Sequence, residues 1–69
     1  MKVHDKMFIE SLYPIGSVVE LVSMNDPQAP PSGTRGKVKF IDDIGQIHVE
    51  WENGCGLALI YGVDMFKLI

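Results

Sequence analysis

The side chains that could carry chemistry are few: His4, His48 and Cys55, the adjacent carboxylates Asp42 and Asp43, and the alternating cations Arg35, Lys37 and Lys39. The two histidines and the single cysteine lack the spacing of any zinc set. Cys55 has no second cysteine to bridge and reads as a small buried apolar residue. Asp42 and Asp43 precede Ile44-Gly45, so turn chemistry accounts for them without a metal. Gly33 and Gly36 open no helix, which removes a P-loop and a dinucleotide fingerprint. None of the serines sits in a G-x-S-x-G elbow. The sequence therefore predicts a non-enzymatic protein with no catalytic residue, no metal and no cofactor.

The three cations lie on an element that must position them. Arg35, Lys37 and Lys39 alternate with Gly36, Val38 and Phe40, and Ile47, Val49 and Trp51 alternate with His48, Glu50 and Glu52, the period of two of half-buried strands. Closing the hairpin symmetrically about Asp43-Ile44 pairs Phe40 with Ile47, Val38 with Val49 and Gly36 with Trp51 on the apolar face. Gly36 then leaves room for the indole. The other face sets Lys39 beside His48, Lys37 beside Glu50 and Arg35 beside Glu52. The basic stripe is thus largely neutralised, each opposed pair contributing roughly 0.2–1 kcal/mol, and His48 is an outward polar histidine.

The next turn, Glu52-Asn53-Gly54, admits two registers. A two-residue type I′ turn at Asn53-Gly54 buries Ala58 and Ile60 and exposes Leu57 and Leu59. A three-residue loop with Gly54 in the left-handed region shifts the pairing by one and buries Cys55, Leu57 and Leu59. The second hides two leucines and is the better use of the sequence.

Around this core the chain falls into residues 1–13, a short N-terminal helical segment, and 14–69, a β-barrel. Met7, Phe8 and Leu12, with Ile9 nearby, have helical spacing, and Tyr13-Pro14 ends the helix. Ser17 to Val22 reads as the first strand and Met65 to Leu68 as the last, with Phe66 and Leu68 on one face. Five short strands, one long early loop and a tight turn at Tyr61-Gly62-Val63-Asp64 predict an all-β fold, a small five-stranded SH3-like barrel. At 69 residues a single domain buries only about 60% of its unfolded surface, so self-association would support it.

The run from Tyr13 to Phe66 resembles a phage and bacterial family catalogued as domain of unknown function 4314. The matching motifs are Asp26-Pro27 with Ala29-Pro30-Pro31, Gly33-Thr34 with Gly36, Gly45-Gln46-Ile47-His48-Val49 with Trp51, and Asn53-Gly54. The resemblance implies a small accessory protein of phages or mobile elements with no assigned activity. A looser similarity, through Gly36, Val38, Val49, Trp51, Asn53 and Gly54, is to SH3-like modules of the KOW and mind-bomb types. Those positions do packing and turn work, so they support fold and not function.

Two functional classes follow. The first is a protein-binding module whose Pro-rich loop, Ser23 to Gly33, is stiffened by three prolines and recognises a partner protein. Its candidate contacts are Asn25, Asp26, Pro27, Gln28 and Pro30, with Gln46, His48 and Tyr61. The phage-type resemblance makes a host defence or regulatory protein the implied target. The second is a homo-oligomeric sponge for a nucleotide-like small molecule, using Arg35, Lys37 and Tyr61 for a phosphate and a base. A formal charge of −3 and a pI near 5.1 argue against nucleic acid, the third reading. Acidic residues interrupt the N-terminus and no stretch reaches transmembrane length, so a cytoplasmic protein, in the host cytoplasm if phage-encoded, is expected without membrane partners.

Overall fold

A computed structural model describes residues 5–69; His4 and the start of the N-terminal segment lie outside the described residues. The elements are helix α1 (Lys6–Leu12) and strands β1 (Val18–Ser23), β2 (Arg35–Ile41), β3 (Gln46–Trp51), β4 (Leu59–Ile60) and β5 (Met65–Leu68). All pairings are antiparallel, in the order β4-β3-β2-β1-β5. Four interstrand spacings of about 4.8 Å would hold β4 and β5 roughly 19 Å apart in a flat sheet. They are instead joined by the single turn at 61–64, where the N–H groups of Val63 and Asp64 both return to the Ile60 carbonyl at 3.1 and 3.0 Å. The sheet must therefore curl to bring its two edges toward each other, though β4 and β5 do not pair, which gives the SH3-like barrel the sequence predicts.

In the central hairpin Gly36 faces Trp51, Lys37 faces Glu50 and Val38 faces Val49, as expected. Nearer the tip the register shifts: Phe40 faces His48 and Ile41 faces Ile47. The cause is the turn. Asp42 and Gln46 flank a three-residue loop in which Gly45 has φ +87°, with bonds from Gly45 N–H to Asp42 O and from Asp42 N–H to Gln46 O, both 3.0 Å. The symmetric two-residue closure is one residue too short, and a bulge at Lys39 absorbs the difference. The expected pairs Phe40 with Ile47 and Lys39 with His48 are therefore corrected. Ile41 enters the core at 1% exposure while Phe40 turns outward at 45% and stacks on His48, ring centroids 4.2 Å apart.

The second hairpin repeats this device. Gly54 has φ +82° while no residue other than glycine has positive φ among the described residues, which excludes type I′. Ile47 pairs with Leu59, the register of the three-residue loop. Leu59 is buried, and Cys55 and Leu57 are half-buried. Only Leu59–Ile60 forms a strand; the stretch before it is fastened by the indole N–H of Trp51, which donates to the Leu57 carbonyl at 2.8 Å.

The core comprises Ile9, Val19, Leu21, Val38, Ile41, Ile47, Val49, Trp51 and Leu59. A Cβ on Gly36 would lie 2.5 Å from Val49 Cγ1 and 2.8 Å from the Glu50 carbonyl oxygen, so the sheet closes tightly over that position. Helix α1 is capped by Asp5, whose carboxylate accepts from Met7 N–H at 2.8 Å. Seven residues are too few for a helix to persist alone; burial of Ile9 anchors it. The apolar face is corrected accordingly: Met7, Phe8 and Leu12 are exposed and Ile9 alone is buried in the core.

Candidate functional site

The segment from Met24 to Thr34 has almost no regular structure yet satisfies its backbone locally. The Asp26 carboxylate accepts from Gln28 N–H at 2.8 Å, and the Asp26 carbonyl accepts from Ala29 N–H at 3.0 Å. At the far end the Pro31 carbonyl accepts from both the amide and the hydroxyl of Thr34, at 3.1 and 2.7 Å. Between these, the Cys55 thiol lies 3.6 Å from the Gln28 carbonyl oxygen, tying the loop to the second hairpin. Asn25, Asp26, Pro27 and Gln28 are all exposed on this held backbone. Pro30 is buried, so its expected role as a contact is corrected.

The loop does not stand alone. Together with the β4–β5 turn it forms a groove of about 250 Å³. Its apolar lining includes Met24, Leu57 and Val63, and Asp26 and Asp64 line it as well. One oxygen of Asp64 accepts the Ile60 N–H at 2.8 Å, which fixes that carboxylate. Neither Asp26 nor Asp64 has a cationic partner among the described residues. Sequence reasoning missed Val63 and Asp64; the only signal was the tight turn that carries them.

The remaining expected contacts lie elsewhere. Gln46 and His48 belong to the tip of the β2–β3 hairpin. His48 Nε2 lies 2.9 Å from Asp42 Oδ2, while Asp42 Oδ1 accepts from Ile44 and Gln46 N–H at 3.1 and 2.8 Å. Partial burial alone would raise the Asp42 pKa, but the hydrogen bonds from His48, Gln46 and Ile44 outweigh it and leave the carboxyl below its ordinary value. Tyr61 joins a third set. Its ring lies 6.1 Å from those of both Phe8 and Tyr13, and Tyr13 lies 5.0 Å from Phe66. These rings pack α1 against the β4–β5 turn, and burial, then the Tyr61 phenol, raise the Tyr13 pKa.

Arg35 and Lys37 line a larger groove of about 480 Å³ on the outer sheet face, with Glu50, Glu52 and the edge of Trp51. Arg35 is not free there. Its Nε lies 3.1 Å from Glu20 Oε1, and Lys67 Nζ lies 3.4 Å from Glu20 Oε2. The expected neighbour of Arg35, Glu52, touches it through the backbone, its N–H donating to the Arg35 carbonyl at 2.9 Å; the ion pair is with Glu20. The row Glu52, Arg35, Glu20, Lys67 thus alternates in sign from the turn after β3 across β2, β1 and β5. The Arg35 hydrogen bond leads the causes that lower the Glu20 pKa, ahead of an opposing desolvation and the contribution of Lys67. Tyr61 does not line this groove: it adjoins Ile60, which pairs with Gln46, whereas Arg35 is at the opposite end of β2, roughly 20 Å along the strand.

The described residues contain no group of three or more metal-ligating side chains, and no helix among them is long and apolar enough to cross a membrane. In comparison with known proteins, a family model described as "Domain of unknown function (DUF4314)" matches residues 5–69. No curated protein and no solved structure matches the chain.

Proposed function

The chain belongs to this family of unknown function, DUF4314, and from that premise and its own geometry we propose that it is a non-enzymatic protein-binding module acting through the 24–33 loop. The observation that carries the reading is the held loop: Asn25, Asp26, Pro27 and Gln28 are exposed on a backbone fixed by Asp26, Thr34 and Cys55. A loop ordered before binding loses little entropy when it docks, which favours specific recognition by a small domain. The target is a cytoplasmic protein. A phage or mobile-element carrier and a host defence target rest on the family resemblance.

The alternative, an oligomeric sponge for a nucleotide-like molecule, draws support from the size of the Arg35–Lys37 groove. It is weakened by the commitment of Arg35 to Glu20; Tyr61 would come from a second copy, as a pocket at a subunit boundary requires. Nucleic acid ranks below both, since a face alternating in sign presents no continuous track for phosphates.

Affinity capture from host lysate, with mass spectrometry of proteins and heat-released small molecules, tests the proposal. The expected result is one stoichiometric protein that is lost when Asp26→Lys is combined with Gln28→Ala. Retention of that protein by the double variant removes the loop from the account, and release of a nucleotide without any protein favours the sponge.

A further inference from the structure

We propose that the groove between the loop and the β4–β5 turn takes an arginine or lysine side chain from an exposed segment of the partner, next to an apolar residue that rests on Val63. This deepens the binding reading above and rests on it. At about 250 Å³ the groove lies below the roughly 300–1,000 Å³ of small-molecule sites, so its scale suits a side chain presented by a larger molecule.

Its lining decides which side chain. Half-buried Met24 and Leu57 give the groove apolar lining, whereas Asp26 and Asp64 bring two carboxylates to the same groove. An aliphatic or aromatic occupant would cover the apolar lining and desolvate the carboxylates without pairing them, which is costly. An acidic occupant would meet repulsion. Arginine and lysine alone combine an apolar stem with a cationic head, burying the first along apolar surface while the second reaches a polar partner. Each carboxylate is held through a backbone amide, from Gln28 for Asp26 and from Ile60 for Asp64, so both are placed before the cation arrives.

The surroundings agree. Val63 and Ile60 line the groove yet stay 71% and 43% exposed, leaving apolar surface for a neighbouring residue of the same segment. The chain's formal charge of −3 favours approach of a basic surface. On the outer sheet face, where Glu20, Glu50 and Glu52 lie, the strands already supply cations to Glu20 through Arg35 and Lys67.

The purified chain, fluorescently labelled, would be applied to an array of random nine-residue peptides. The expected result is enrichment of Arg or Lys beside an apolar residue among bound peptides. Asp26→Asn with Asp64→Asn should weaken the strongest peptide by about tenfold or more at an unchanged denaturation midpoint, because asparagine can keep both backbone bonds. Bound peptides without that enrichment, no bound peptide, or undiminished binding by the double variant each overturn the proposal. The natural partner separates this failure from failure of the loop reading. If it survives neutralisation of Asp26 and Asp64 but is lost with Asp26→Lys and Gln28→Ala, the loop reading stands and the cationic occupant falls.

Discussion

The outer sheet face and the loop groove both carry carboxylates beside apolar surface, yet their charges are handled in opposite ways. On the sheet, Glu20 is shared by Arg35 and Lys67 at 3.1 and 3.4 Å, cations delivered by the two flanking strands. In the groove, Asp26 and Asp64 accept backbone amides and meet no cation among the described residues. A face whose strands supply both signs is complete when the chain folds. A groove whose carboxylates are fixed but meet no cation among the described residues is the place proposed for the cation of a partner.

That contrast can be broken in order of expected effect. Gly36→Ala, beneath the sheet face, should destabilise the fold by about 1–3 kcal/mol through overpacking, since the new methyl meets Val49 and the Glu50 carbonyl; chemical denaturation reads it directly. Neutralising Asp26 and Asp64 should do the reverse, costing about tenfold in partner affinity while moving stability by no more than about 0.5 kcal/mol. An equal loss of stability would mean that the groove is a structural feature like the sheet.

The pH dependence sharpens the same point. Glu20 and Asp42 have folded-state pKa values below their ordinary ones, so their stabilisation is present above the ordinary carboxylate range and is lost as pH falls through the folded values. Urea midpoints measured from pH 7 down to about pH 3 should fall on the acid side, and Glu20→Gln should flatten that limb. A steeper limb in the variant would contradict the assignment. The smallest effect belongs to Lys37→Ala, which should leave partner binding unchanged in the same capture assay; a marked loss would move the binding surface to the sheet.

The pairing of Gly36 with Trp51 was legible because alternation and a missing side chain both point to it. The Lys39 bulge was not, although its cause was present: Asp43-Ile44-Gly45 closes with a left-handed glycine just as Glu52-Asn53-Gly54 does, and a symmetric closure hides this by being one residue short. For α1, the choice of Ile9 over Met7, Phe8 and Leu12 depends on where the barrel opens, which helical spacing does not encode. Pro30 misled because proline in a loop is usually at the surface, whereas here it is buried. The groove joins Asp26 to Asp64 across nearly forty residues of chain, a juxtaposition that only the curl of the sheet creates.

The most direct test of the binding account is quantitative capture of partner protein by three versions of the chain: unaltered, Asp26→Lys with Gln28→Ala, and Lys37→Ala. The account predicts equal recovery by the first and third and loss by the second, with all three folded. Recovery that survives in the loop variant and fails with Lys37→Ala would contradict it and place function on the sheet face.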